Sequence, residues 1–291
     1  MALRNIENAL PISQERPKKL PKLSKNPEIC LNDENNIVPP PESTIDYVAS
    51  ENLKPFPDPD SSVQRLLEEL ASKDWIKVCE SLNNTRRFAV HHSSLLLPIL
   101  EKLMVVMVKA MKNPRSALCK TSIMACSDIF IAFGEKLTLL KTMDDLLLQL
   151  LMKASQDKKF VCEEADKALN TMVNSVSRLS LLRKLKAYVR HSNPRVRAKA
   201  AVSTSNCVSK MEVNEMEEFG MVVIAQMAAD LLNDKLPEAR EAARSMVNSV
   251  YEKFTWNEGE EGNKQEAWQR FCEKNLTGLN AQAMIKIVSS Q

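Results

Sequence analysis

The segment from Ser177 to Lys210 constrains the fold more than any other, because the rest of the chain repeats it. Its first half, SRLSLLRKLKAYVRH, places Leu181, Leu182, Leu185, Tyr188 and Val189 at three- and four-residue spacing, on one face of a helix. Ser192-Asn193-Pro194 ends that helix. The residue before a proline is pushed out of the helical region, and proline suits the first turn of a new helix. A second helix is therefore predicted from Pro194. Val196, Ala200, Ser203 and Cys207 share one of its faces, and most are small enough to let two antiparallel helices lie close. The unit is a helical hairpin of about thirty-five residues.

Its second helix recurs. PEAREAARSMVNSV, from Pro237, keeps the Ala/Arg rhythm of PRVRAKAAVSTSNCV. KFVCEEADKALNTMV, from Lys159, puts Val161 and Ala165 where Val196 and Ala200 stand, and NPRSALCKTSIMACS repeats the Asn-Pro-Arg opening at Asn113. Second helices thus start near 115, 159, 194 and 237, in steps of 35 to 44 residues. That spacing fits stacked helix pairs of the HEAT or armadillo kind, in which no copy buries its apolar faces alone. The predicted fold is an all-α solenoid of about six antiparallel pairs.

Along the chain, the predicted helices begin with the stripe Val63, Leu66, Leu67, Leu70, and continue with Trp75 to His91. Leu95 to Met111 follows as one helix with Pro98 in its first turn, then Arg115 to Phe133, stopped by Gly134. Next come Leu137 to Ala154, Lys159 to Val176, the template hairpin, Glu215 to Leu232 and Pro237 to Phe254. An acidic linker, Glu258 to Gly262, precedes a last, weaker pair around Trp268 to Phe271 and Met284 to Val288. Met104, Met107 and Met111, and Cys79, Cys119, Cys126, Cys162 and Cys207, read as packing residues.

Five glycines in 291 residues, none before Gly134, argue against sheets with tight turns and against phosphate-binding loops. Seven scattered cysteines without a C-x-x-C spacing predict reduced thiols of an intracellular protein. No run of eighteen apolar residues predicts a membrane span, and no apolar signal core opens the chain. Residues 1–58 hold nine of the fourteen prolines and no sustained period, so a disordered tail is predicted there, with the folded domain over 59–291. The tail is basic and then acidic: six Lys/Arg against two Glu in 1–27, one Lys against eight Asp/Glu in 28–60. The run Arg16 to Lys25 reads as a nuclear localisation signal, as an electrostatic tether, or as a solvated tail with no reader.

The short turns inside the pairs carry Lys73, Trp75 and Lys77; Lys112 and Arg115; Lys158 and Lys159; His191, Arg195 and Arg197; and Lys235 and Arg240. In a helix-pair solenoid such turns align along one edge. The predicted edge is a basic ridge headed by an aromatic and diluted by Asp74, Asp157, Asp234 and Glu238. Trp75 reads either as an exposed anchor or as a core residue closing the first pair.

Six such pairs, with a Trp closing the first turn and Lys/Arg on later ones, resemble a TOG domain, the tubulin-binding module. The closer likeness is to TOG-like domains of the CLIP-associating protein (CLASP) family. Met111 to Ser116 resembles that family's Leu-Arg-Ser turn before a long helix, and KASQDKKFVCEEADKAL resembles its third pair. The likeness covers residues from about 60 to 255. One departure is Val78, where TOG domains usually carry an Arg three residues after the Trp; Lys77 is adjacent. The resemblance implies binding of the tubulin dimer or the microtubule lattice by the turn edge, through Lys73, Trp75, Lys77, Lys112, Arg115, Lys158, Lys159, Arg195, Arg197 and Lys235. It also implies a cytoplasmic, cytoskeleton-associated place of work.

No H-E-x-x-H, G-x-G-x-x-G, G-K-[ST] or G-x-S-x-G is present, so no enzyme, cofactor or small-molecule substrate is expected. His91 and His92 are adjacent, point to different helix faces and have no third ligand nearby, which argues against a metal. Against the tubulin reading stands a general HEAT scaffold that uses another face, with a nuclear place of work. A nucleic-acid surface needs interleaved aromatics, and Trp75 is the one aromatic expected on the ridge.

Overall fold

The computed structural model describes residues 47–256 and 261–290. The Pro-rich tail before residue 47 and most of the acidic linker lie outside the described residues. Among the described residues every regular element is a helix. Helix α1 (Pro59–Leu70) pairs with α2 (Trp75–His91), and after a short α3 (Ser93–Leu96), α4 (Leu100–Met111) pairs with α5 (Ser116–Phe133). The third pair is α6 (Met143–Ala154) and α7 (Lys159–Ser175), and the fourth is α8 (Arg178–Tyr188) and α9 (Pro194–Val208). In the fifth, α10 (Val213–Phe219) and α11 (Met221–Leu231) precede α12 (Pro237–Phe254); the sixth is α13 (Glu261–Asn275) and α14 (Gly278–Ser289). The architecture is thus the expected solenoid of six pairs.

The second helices form a continuous layer, α2 on α5, α5 on α7, α7 on α9, α9 on α12 and α12 on α14. Helix α9 touches α6, α7, α8 and α12, so it is enclosed on several sides. This is why Ala198, Ala200, Ala201, Ser203, Thr204 and Ser205 are all buried there: a larger side chain would hold its neighbours apart. The core filling comes from Leu82, Leu103, Met104, Met107, Met111, Leu146, Leu147 and Leu150, each at most 1% exposed. Each such side chain stabilises the fold by about 1.5–3 kcal/mol. The last pair is held by an aromatic cluster in which Trp268 meets Tyr251 at 5.7 Å and stacks on Phe271 at 5.3 Å.

The second helices start where the prolines and polar residues place them. Asp74 caps α2 by accepting from the Ile76 amide, and Asn193 caps α9 by accepting from the Arg195 amide. Three first helices differ from expectation. The predicted helix Leu95 to Met111 is interrupted by a 3-10 turn at Leu97–Ile99, because Pro98 has no N–H to continue it. The predicted helix Leu137 to Ala154 begins only at Met143: Gly134–Leu139 is a 3-10 turn whose Leu137 is buried without being α-helical. The predicted helix Glu215 to Leu232 breaks at Gly220, whose φ of +103° favours glycine.

One further expectation is corrected. The folded unit begins before residue 59. Phe56 stacks on Phe88 at 4.5 Å, the Leu53 carbonyl meets His91 Nε2 at 2.7 Å, and Tyr47 lies over the Lys120 ammonium at 4.4 Å. This strap completes a buried ion pair. Asp128 on α5 accepts from Arg86 Nε on α2 at 2.7 Å and from the Ser50 hydroxyl at 2.6 Å, while Arg86 also donates to the Val48 carbonyl. An irregular strap has no period, so its prolines looked like those of a tail. Ser116–Leu139, although it holds no run of eighteen apolar residues, is long and apolar enough, by length and composition, to cross a membrane. Its apolarity serves packing: 61% of its apolar eighteen-residue stretch is buried, with α5 lying between α2, α4 and α7.

Candidate functional site

The turns within the pairs come into contact from one pair to the next. At the first turn, Trp75 is half-buried against the core and the Arg115 guanidinium of the second turn lies 5.6 Å from its ring centre. Three residues on, Val78 is 7% exposed and faces the core, so no polar group projects from that position. Lys73 and Lys77, two residues before and after Trp75 in the chain, are exposed. At the second turn, Asn113 accepts from the Arg115 amide at 2.9 Å, which fixes the entry to α5, and Lys112 is exposed.

Lys158 of the third turn donates to the Ser116 hydroxyl at 2.9 Å and so ties that turn to the second. Arg195 of the fourth turn reaches back to Asp157 of the third at 2.5 Å. Arg197 donates to Asp234 of the fifth turn at 2.5 Å and to the His191 carbonyl at 2.7 Å. Asp234 is buried; it also accepts from the Leu236 amide, and Arg240 donates to its backbone carbonyl. Burial pushes the Asp234 carboxyl up, but Arg197, the Leu236 amide and Arg240 outweigh it and hold it below the usual carboxylate range.

The ten candidate residues therefore divide. Arg197 is committed to internal bonds, with a side chain 18% exposed. Arg115, Lys158 and Arg195 bridge turns while remaining exposed. Lys159 is exposed and faces Glu163 one helical turn on at 3.8 Å. Lys73, Lys77, Lys112 and Lys235 are exposed and make no ion pair among the described residues. Three of the four acidic residues that dilute the ridge are occupied within it, Asp74 as a cap, Asp157 by Arg195 and Asp234 by Arg197, while Glu238 is exposed.

The structure adds apolar members that the sequence reading missed. Phe160, second residue of α7, is 42% exposed beside Lys159, and Met152 in the last turn of α6 is 43% exposed. Trp75 is therefore not the only aromatic on the ridge. The signal for Phe160 was its neighbour: Val161 is buried, so the residue one step before it on a helix lies about 100° away, towards solvent. His91 and His92 lie at the far end of α2 from this edge, one bonded to the strap. The cysteines of the second helices pack: Cys79, Cys119, Cys126 and Cys207 are buried, and half-buried Cys162 donates to the Gln156 carbonyl.

The model of the CLASP N-terminal family matches residues 86–258, more than half of the chain. The chain belongs to this family. The CLASP match starts inside α2 and encloses the second to fifth turns, so Trp75 stands ahead of it. The CLASP-family chain is 34% identical over 125 residues to the mouse (Mus musculus) TOG array regulator of axonemal microtubules protein 1, and equally to the human (Homo sapiens) one. The match takes in 43% of this chain and 7% of those proteins' length. Among solved structures, it resembles a chain from work on microtubule plus-end tracking by XMAP215, CLIP-170 and EB1. The TM-score is 0.59 at 15% identity, covering 80% of this chain and 92% of that one. It also resembles the MAST/Orbit N-terminal domain, with a TM-score of 0.57 at 14% identity over 77% of this chain and 95% of that one. A TOG domain from C. elegans Zyg9 scores 0.54 at 15% identity, over 73% and 82%. These likenesses establish the fold as TOG-like.

Proposed function

We propose that this chain is a non-enzymatic tubulin-binding module that engages the tubulin dimer or the microtubule lattice through the edge of stacked turns, and so helps to organise microtubules. The observation that carries it is the use of charge along that edge. Three of its four carboxylates, Asp74, Asp157 and Asp234, are spent on a cap and on bonds between turns, whereas Lys73, Lys77, Lys112 and Lys235 stay exposed and unpaired among the described residues. Exposed cations with half-exposed Trp75 and Phe160 among them suit an acidic protein surface, since aromatic anchors supply binding energy and rim charges supply steering. CLASP family membership and the microtubule-related names of the relatives support the same partner and an association with the cytoskeleton.

The test is co-pelleting with stabilised microtubules beside size exclusion with free tubulin, on the full chain. Binding in either assay is expected, weakened by Lys73→Gln with Lys77→Gln and by Phe160→Ala, with melting unchanged. Absence of binding in both assays would sink the reading in favour of a scaffold that uses another face.

A further inference from the structure

Ser116 opens α5 at the second turn, and its hydroxyl accepts from the Lys158 ammonium of the third turn at 2.9 Å. Both residues line a cavity of about 290 Å³ that Lys112 and Lys153 also line, with no Asp or Glu in its wall. One serine hydroxyl thus shares a small space with three ammonium groups. Asp157, next to Lys158 in the chain, is taken by Arg195 at 2.5 Å, and Lys112 and Lys153 make no ion pair among the described residues. The Cys119 thiol in the wall is 3% exposed; burial pushes it up despite Lys153 and Lys158, so it stays neutral. Three like charges around one cavity repel one another in the absence of an anion. Ser116 is also reachable. It is half-buried, and it follows Arg115, whose backbone is extended at φ −72° and ψ 113° and whose amide is held by Asn113. The first N–H groups of a helix have no partner within it, so opening this turn to an enzyme breaks few bonds.

We infer that Ser116 is a phosphorylation site and that this cavity is the seat of its phosphate. The enzyme class is a protein kinase that reads cations ahead of the acceptor, here Lys112 and Arg115. Ser116 Oγ forms a bond to the γ-phosphorus of a nucleoside triphosphate as the bond from that phosphorus to the bridging oxygen breaks. The nucleoside diphosphate leaves, and the hydroxyl proton passes to the kinase's base. The product carries about −1.5 to −2 charge and three acceptor oxygens, all on this chain. It supplies the missing counter-charge and accepts charge-assisted hydrogen bonds from Lys158 and its two lysine neighbours. The second and third turns are then tied by ionic bonds in place of one neutral hydroxyl, and Lys112 and Lys158 are withdrawn from the exposed edge. On the reading of that edge as the tubulin-facing surface, on which this consequence alone rests, the modification turns tubulin binding down.

The test uses the full chain in three measurements. Expressed in a eukaryotic host with phosphatases inhibited, the chain is expected to carry phosphate on Ser116 by peptide mapping and mass spectrometry; a Ser116 without phosphate overturns it as a modification site. Phosphoserine genetically encoded in place of Ser116 is expected to raise the melting temperature by about 2–4 °C. Lys153→Gln with Lys158→Gln should remove at least half of that rise. Phosphoserine in place of Ser245, exposed on α12 one helical turn after Glu241, adds the same charge without the lysines and should give no rise. No rise at Ser116, a rise indifferent to the lysine substitutions, or an equal rise at Ser245 overturns the cavity as the seat of the phosphate. The third measurement is tubulin binding, which the phosphate on Ser116 is expected to weaken about tenfold. Unchanged tubulin binding with a raised melting temperature overturns the control of the edge, and the site stands. If the unmodified chain binds no tubulin, the edge reading fails, while mapping and melting still decide the site.

Discussion

Trp75 and Arg115 share one contact between two turns, and neither behaves as an isolated surface residue. The half-buried indole gives α2 its first packing residue, and the guanidinium covers its outer face at 5.6 Å. Truncating a half-buried Trp is expected to lower stability by about 2 kcal/mol, below the 3–5 kcal/mol of a fully buried one. A cation over an exposed ring contributes about 0.5–1 kcal/mol. Denaturation of Trp75→Ala, Arg115→Ala and the double variant should therefore show a coupling of about that size. Strict additivity would mean that the two side chains do not support each other. The sequence placed Trp75 at the turn but left open whether it anchors or packs, because that depends on Arg115, forty residues away. The Arg86–Asp128 pair was illegible for the same reason: a buried ion pair between two helices leaves no periodic trace, and its third partner, Ser50, lies in the strap.

At the scale of elements, the second helices of the first five pairs were legible almost to the residue, and three of the first helices were not. Proline, Asp and Asn mark a start in the sequence itself, as at Asp74 and Pro194. A glycine stop was read at Gly134 and missed at Gly220, because its meaning depends on φ. Gly134 has φ +46°, and a Cβ there would stand 2.8 Å from the Ser175 carbonyl oxygen. Gly134→Ala is expected to cost about 1–3 kcal/mol, whereas Gly278→Ala, with open space around it at the start of α14, should stabilise by about 0.4–1 kcal/mol. Equal melting shifts for the two would contradict the conformational cause. The turns also carry a pH signature. Asp234 is held below its ordinary range, so its contribution is full above about pH 4 and is lost as pH falls through the lower folded value. The stability gap between the native chain and Asp234→Asn should hold at neutral pH and close on acidification. A gap that widened as pH fell would show that Asp234 is not the paired anion of this edge.

For the whole molecule, the folded unit and its charge can be probed separately. A chain beginning at Pro59 loses the buried Leu53, the Phe56 stack and the strap's bonds to Arg86 and Asp128. It should be less stable by about 3–5 kcal/mol, read from denaturant midpoints. An unchanged midpoint would restore residue 59 as the start of the domain. Salt then distinguishes what holds the fold from what reaches the partner. Ion pairs between helices, such as Lys184–Asp144, Arg183–Glu218 and Lys199–Asp166, lie at or near the surface, where each contributes about 0–1 kcal/mol. The core beneath them is apolar, so melting should change little with ionic strength. The turn edge differs, because Lys73, Lys77, Lys112 and Lys235 have no internal partner among the described residues and act at a distance on an acidic surface. Raising salt from about 0.01 M to about 0.15 M shortens the Debye length from about 30 Å to about 8 Å. Tubulin association should slow about tenfold or more over that range, while dissociation changes far less, since steering charges act on the encounter. The check is a stopped-flow or surface-based measurement of both rates, with a melting curve at each salt concentration. An association rate indifferent to salt would move the contact to an apolar face. A parallel loss of melting temperature would show that salt was acting on the fold and not on the edge.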